Sequence, residues 1–268
     1  MANLATVKQK AADADAQQGT GGLLTRKVDA AAKGLLAKKV NPNQQWQVIL
    51  VPDKSYSMEK EYKKGSVQEV VERTLGFAVI VDDDGSVPAV FFGGNIADYT
   101  IDLNDFHQYI QRNHIEPDGG TPLTEALQKV AQITGNDDLV KSGGGFFNRS
   151  EPKPSVRKMD TPAFVVIVTD GRPNDPASAT DLIRRLSYRG LFLKFLFVGN
   201  DEAGWRYLES LDDDIPVGVP YEQGGRLIDN VDAKNLGNIS KMSDEDFYAA
   251  MFDEAGSWLV AARTNGLI

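Results

Sequence analysis

Three runs of apolar residues leave this chain few ways to fold: Val48-Ile49-Leu50-Val51, Phe164-Val165-Val166-Ile167-Val168, and the stretch from Leu191 to Val198. Each is too short for a typical helix and apolar at successive positions rather than at every second one, so each reads as a strand buried on both faces. Val87 to Phe92 reads as a further strand, and Tyr99-Thr100-Ile101-Asp102-Leu103 alternates as an edge strand does. Between these runs the apolar residues fall at helical spacing. Val67, Val70, Val71, Leu75, Ala78 and Val79 follow Ser66-Val67-Gln68-Glu69, which reads as a capping box. Leu123, Ala126, Leu127, Val130 and Ile133 form a second stripe, and Ala179, Leu182, Ile183 and Leu186 a third. A helix carrying Trp205, Leu208 and Leu211 follows the last of the three runs. A final one, capped by Ser243, buries Phe247, Met251, Trp258 and Leu259, and a short helix is expected over 105–114. Strands that alternate with helices and hide both faces predict an α/β fold. It is a Rossmann-like, doubly wound, mostly parallel sheet with helices on both faces and right-handed crossovers.

At 268 residues the chain suits one large domain or two small ones. Asn41-Pro42-Asn43 breaks it early, so the reading is a basic, partly helical segment over 1–44 and a main domain over 45–268, with a loop insertion over 135–160. Residues 1–20 are polar and alanine-rich and are expected to fray. The stripe Leu24, Val28, Ala31 and Leu35 covers either the main domain or another protein. The insertion contains Gly143-Gly144-Gly145-Phe146-Phe147, a glycine-framed aromatic pair that either folds back or makes a contact. The 29 basic and 38 acidic residues give a net charge of −9, shared unevenly. Residues 1–40 carry +4 and the remainder −13, and an acidic body repels phosphate backbones, so nucleic acid is not an expected partner. There is no cysteine, which excludes disulfides and thiolate metal sites. No apolar signal-peptide core or membrane-length stretch is apparent, and a cytoplasmic location is expected.

Ligands of open α/β sheets bind outside the carboxyl ends of the strands. After the first apolar run comes Pro52-Asp53-Lys54-Ser55-Tyr56-Ser57-Met58; after the second comes Thr169-Asp170-Gly171-Arg172-Pro173. A third loop, Gly119-Gly120-Thr121-Pro122-Leu123, opens a helix that should start at the same edge. Taken singly, Ser55, Ser57 and Thr121 could be helix caps, and Asp53 and Asp170 ordinary loop acids. Taken together they are five hard oxygen donors at one edge, a set suited to Mg²⁺ or Mn²⁺ rather than to zinc or copper. Two carboxylates only balance a divalent charge. A cation held this way stays a good Lewis acid and keeps water that an incoming carboxylate can displace.

Asp53-x-Ser55-x-Ser57, the separate Thr121 and the later Asp170 resemble the metal-ion-dependent adhesion site (MIDAS) of von Willebrand factor A domains. The likeness is to the bacterial tellurite-resistance branch, TerF-like or toxic-cation resistance. It rests on Asp53-Lys54-Ser55-Tyr56-Ser57-Met58, the segment from Tyr62 to Arg73, Asp82-Asp83-Asp84-Gly85, the segment from Thr121 to Leu127 and Thr169-Asp170-Gly171-Arg172-Pro173. It implies direct metal contact by Ser55 and Ser57, direct or water-mediated contact by Thr121, and water-mediated contact by Asp53 and Asp170. It also implies a von Willebrand factor A fold and a role in stress response. The expected activity is therefore not enzymatic: the bound cation grips the Asp or Glu side chain of a protein partner, within a multiprotein assembly in some settings. Tyr56 stands where the family often has glycine, and with Arg172 it is placed on the partner-binding rim. Two other classes stay open, a metal-dependent hydrolase or phosphatase and a structural component of a virion or large assembly. Against hydrolysis, the chain has no phosphate-cradling Gly-Lys loop and no histidine near the motif, His107 and His114 being isolated.

Overall fold

Every apolar run becomes a strand covered on both faces. The computed structural model describes residues 4–82, 85–140 and 153–268. Helices α1 (Leu4–Gln18) and α2 (Leu23–Ala37) precede β1 (Gln47–Pro52), α3 (Glu59–Lys63) and α4 (Ser66–Val81). A hairpin of β2 (Ser86–Phe92) and β3 (Ile96–Asp102) leads through α5 (Tyr109–Arg112) to α6 (Leu123–Ile133) and β4 (Ala163–Thr169). Then come α7 (Pro176–Leu186), β5 (Leu191–Val198), α8 (Glu202–Asp213), β6 (Val231–Gly237), α9 (Asp244–Met251) and α10 (Ala255–Thr264). Among the described residues, no helix is long and apolar enough to cross a membrane. The acidic turn residues Asp83 and Asp84 and the Gly143–Phe147 segment lie outside the described residues.

The six strands form one sheet in the order β3-β2-β1-β4-β5-β6, parallel except for β3, which runs antiparallel to β2 at the edge. From β1 the chain first winds outward through β2 and β3, then returns to lay β4 on the other side of β1. The topological switch point therefore lies between β1 and β4, where an open sheet leaves a crevice for a ligand.

Alternate side chains of the central strands serve different cores. Ile49, Val51, Val165 and Ile167 pack beneath α6, α7 and α8. Val48, Leu50, Phe164 and Val166 pack beneath α1, α2, α4, α9 and α10. On that second face Trp46 meets Phe164 edge-on with ring centroids 5.4 Å apart and lies 5.4 Å from Trp258, while Phe77 meets Phe164 at 5.0 Å. Such ring pairs add about 0.5–1.5 kcal/mol each beyond the area they bury.

Several expectations change. Residues 4–18 do not fray: they form α1, whose Val7, Ala11 and Ala14 are buried in the same core as α2, so the Leu24–Val28–Leu35 stripe covers the sheet's own domain. Asp15 fastens the two helices by accepting hydrogen bonds from the backbone N–H groups of Leu24 and Thr25, each at 2.9 Å. Nor is the segment uniformly a basic surface, because Lys27 is buried and pairs with Glu69 at 3.0 Å and Asp244 at 3.5 Å. The Ser66–Glu69 capping box does not form. Gly65, at φ +79°, turns the chain into α4, and the Ser66 hydroxyl donates backward to Glu61 at 2.8 Å. The helix expected over 105–114 contracts to Tyr109–Arg112. The last predicted helix is two, broken where Glu254 adopts φ +60°.

Candidate metal centre

The loop after β1 begins with Asp53, which is fully buried and held on three sides. Its backbone N–H donates to Val168 O at 2.8 Å, which fixes the loop to β4. Its carboxylate accepts from the Ser55 N–H at 2.7 Å and from the Thr169 hydroxyl at 2.6 Å. The Ser55 and Ser57 hydroxyls lie 3.0 Å apart, and Ser57 donates onward to the Asp170 carboxylate at 2.7 Å. Two loops far apart in sequence are thus joined across the switch point by one line of oxygens, Ser55 to Ser57 to Asp170.

Thr121 enters from the third loop, whose backbone is locked to both others. Tyr56 N–H donates to Gly119 O at 3.2 Å, and Asn174 N–H donates to Thr121 O at 3.0 Å. Gly119, at φ +62°, passes so close to Gly94 that a Cβ there would lie 2.2 Å from the Gly94 Cα, so this loop accepts only glycine. The Thr121 side chain, 7 % exposed, makes no hydrogen bond to a described residue and lines the same cavity as Ser57 and Asp170. All five sequence-predicted ligands therefore converge on one edge. Of the two rim residues, Arg172 lines that cavity, whereas Tyr56, 70 % exposed, lines a separate one of about 780 Å³ against Ile110, His114 and Pro117.

The donor set fits a hard divalent cation by its chemistry: two carboxylates and three hydroxyls, with no nitrogen or sulfur. The local electrostatics agree. Burial pushes Asp53 up to about 6, against the opposing hydrogen bonds from Thr169 and Ser55. Burial also raises Asp170, helped by the negative charges of Glu61 and Asp201. Two carboxylates held uncomfortably out of water form a site whose ionised state a cation would stabilise.

The structure adds a support that the sequence did not disclose. Lys54 is buried and its ammonium bonds to Asp118 at 2.5 Å and Asn95 at 2.7 Å. Its backbone joins the same parts: Lys54 N–H donates to Phe92 O at 2.7 Å, and Asp118 N–H donates to Lys54 O at 2.6 Å. Asp118 in turn accepts from Gly94 N–H at 2.8 Å. Burial alone would raise Asp118, but the Lys54 and Gly94 hydrogen bonds outweigh it and hold the carboxyl below its ordinary range. Lys54 thus ties the loop after β1 to the β2–β3 turn and to the stretch leading into Thr121. Groups that orient ligands in this way are commonly worth about 10–100-fold in metal affinity. Replacing Lys54 by methionine, which keeps the apolar stem, is expected to weaken Mn²⁺ binding about tenfold by calorimetry. An unchanged affinity in a folded Lys54→Met variant would show that the loops hold themselves. In sequence Lys54 is only the variable position of a spaced motif, and Asp118 lies outside every motif, so no local signal marks the pair.

Elsewhere the carboxylates of Asp212, Asp229 and Glu254 gather within 4.8 Å of one another. Arg226 already supplies a cation there, pairing with Asp229 at 2.9 Å, so this group reads as a structural network.

Comparison with known proteins identifies the family and similar folds. The family model described as "vWA-TerF-like: vWA found in TerF C terminus" matches residues 45–268. The chain is 29 % identical to YcbR of Bacillus subtilis (strain 168) over 248 residues, which covers 89 % of this chain and 87 % of that protein. Among solved structures, manganese-loaded TRAP of Plasmodium vivax is similar at a TM-score of 0.47 and 16 % identity, over 78 % of this chain and 72 % of that one. Proximal thread matrix protein 1 of the mussel byssus, with a zinc-occupied MIDAS motif, is similar at a TM-score of 0.46 and 18 % identity, over 80 % of this chain. This chain spans about half the length of the mussel protein, 48 %.

Proposed function

Because the chain belongs to the vWA-TerF-like family, we propose that Asp53, Ser55, Ser57, Thr121 and Asp170 hold one divalent cation, Mg²⁺ or Mn²⁺, with which the chain grips a carboxylate of a protein partner. The observation that carries this reading is the line of oxygens from Ser55 through Ser57 to Asp170, with the Thr121 hydroxyl, unpartnered among the described residues, on the same cavity. When bound, a cation of this kind supplies a hard Lewis acid with coordination positions open to water and to an exogenous carboxylate.

The residues themselves divide the work. Ser55 and Ser57 present neutral oxygens, which leave the cation's charge available to a partner. Asp53 is fixed by Thr169 and by the Ser55 N–H, so it can balance charge without reaching for a new partner. Asp170 is half-buried and held by Ser57 from across the crevice, so both strands at the switch point contribute to one site. Lys54 and the Gly119 turn keep the three loops in register. The TerF-like family name supports reading this activity as part of bacterial or phage-borne resistance to tellurite and related stress, with the chain as an interaction module rather than an enzyme.

Affinity capture from a bacterial lysate tests the reading. A set of proteins is expected to be retained in Mg²⁺ and released by chelator. The same set should be missing when Asp170→Ala is the bait, in a variant that circular dichroism shows to be folded. Capture that ignores both chelator and substitution would place the interaction surface elsewhere.

A further inference from the structure

The cavity that Ser57, Thr121 and Asp170 line has a volume of about 590 Å³, larger than one carboxylate needs, and it carries five charged side chains besides Asp170. These are Lys60, Glu61 and Lys64 on the α3 side, Arg172 on the β4–α7 loop, and Asp201 at the start of α8. The acids are already committed. Glu61 is buried, accepts from Ser66 at 2.8 Å and pairs with Lys64 at 2.7 Å. Asp201 caps α8, accepting from the N–H groups of Ala203 and Gly204 at 3.1 Å each. Asp170 takes the Ser57 hydroxyl. Of the three cations, Lys64 is therefore spoken for by Glu61. Lys60 and Arg172 make no ion pair and no side-chain hydrogen bond with a described residue, and both are exposed. Two uncommitted cations thus border a cavity on a chain whose net charge is −9.

We infer that this cavity takes an acidic segment of a protein partner through two carboxylates, one at the metal donors and a second between Lys60 and Arg172. The inference rests on the metal-grip reading and extends it from a single anchor to a charge pattern. Arginine is suited to the second anchor because its planar fork can take both oxygens of a carboxylate, and a lysine beside it adds a mobile charge. The acidic body disfavours a polyanion such as nucleic acid, whose charges continue past the cavity. Two acids in an otherwise neutral segment match the two open positions.

The test uses the full chain in Mg²⁺ and acetylated, amidated glycine peptides, titrated by NMR. One peptide carries a single Asp, and the others carry a second Asp two, three, four or five residues further on. The best two-acid peptide is expected to bind about fivefold tighter than the one-acid peptide, the yield of an exposed ion pair of ordinary strength. The advantage should shrink as salt is raised. Lys60→Gln combined with Arg172→Gln should erase the advantage, bringing the ratio of two-acid to one-acid affinity to about one, and should leave the Mg²⁺ requirement of one-acid binding in place. If one-acid binding depends on Mg²⁺ but the second acid adds nothing, the second anchor is overturned and the metal grip stands. A gain that survives the double substitution also overturns it. If no peptide responds to Mg²⁺, both readings fall together. An oligonucleotide that binds as tightly as the best peptide would assign the two cations to phosphate and overturn the inference.

Discussion

Replacing Ser55 and Ser57 together by alanine is expected to lower Mn²⁺ and Mg²⁺ affinity by at least about 100-fold and to leave the chain folded. That is the upper range seen when groups behind the ligands are lost, and here the two proposed direct donors go. The same change also strips Asp170 of the hydrogen bond it receives from Ser57. The fold should survive because the loop's path does not depend on these hydroxyls. Asp53 N–H stays bonded to Val168 O, Met58 N–H to Ser55 O at 3.0 Å, and Ser55 N–H to the Asp53 carboxylate. The loss of two side-chain hydrogen bonds costs about 1–3 kcal/mol against a domain stability of about 5–15 kcal/mol. Calorimetry with Mn²⁺ and thermal melts followed by circular dichroism report the two halves separately. A double variant that binds metal as well as wild type would remove these serines from the site. Unfolding of the wild type on chelation alone would make the metal a structural element rather than a grip.

Much of this was readable because burial on both faces leaves a continuous apolar signature, as in β1, β4 and β5. The residues at the carboxyl ends of β1 and β4 then identify themselves by position, and Asp53 and Asp170 do face each other across the switch point. The sequence was less informative where stability comes from a few polar contacts. Strand β6, Val-Asp-Ala-Lys-Asn-Leu-Gly, offers no continuous apolar run, since Asp232 and Lys234 are charges paired within the sheet. Helix α1 carries little hydrophobic signal because its buried face is Val7, two alanines and Asp15. Ser66 looked like a cap because its spacing to Glu69 is right, but Gly65 in the left-handed region starts the helix and frees the hydroxyl for Glu61. The Lys54–Asp118 tie and the uncommitted Lys60 and Arg172 depend on contacts between loops tens of residues apart, which no local pattern records.

The largest stability effect is expected at Lys194, the one charged residue in β5 and fully buried. It stands opposite Asp232 of β6 in the strand register, and the two fully buried side chains form an ion pair. From there charges alternate outward: Asp232 to Lys234 at 3.2 Å, Lys234 to Asp253 at 2.9 Å, and Asp253 to Lys38 at 2.9 Å. Lys194→Met removes the fully buried partner that Asp232 has among the described residues, and a buried charge stripped of its partner costs about 3–5 kcal/mol. Lys194→Met with Asp232→Leu should recover most of that loss, because apolar residues of similar size often replace a buried pair at little cost. Stability should also carry a pH signature. Burial pulls the Lys194 ammonium down to about 8 from 10.5, although Asp232 opposes the shift. Between those values the unfolded chain holds the proton more tightly than the folded one. The cost of keeping Lys194 charged is therefore fully present below pH 8 and is relieved as pH climbs toward 10.5. Wild-type stability minus that of the double variant should thus rise from pH 7.5 to pH 10 in urea melts. A flat difference would show that Lys194 titrates alike in both states. Gly199, which follows β5, and Gly237, the last residue of β6, both line the cavity beside the proposed metal donors. The folded fraction of the double variant should bind Mn²⁺ normally, since none of the five donors rests on β5 or β6, and a loss there would mean that strand register reaches the site.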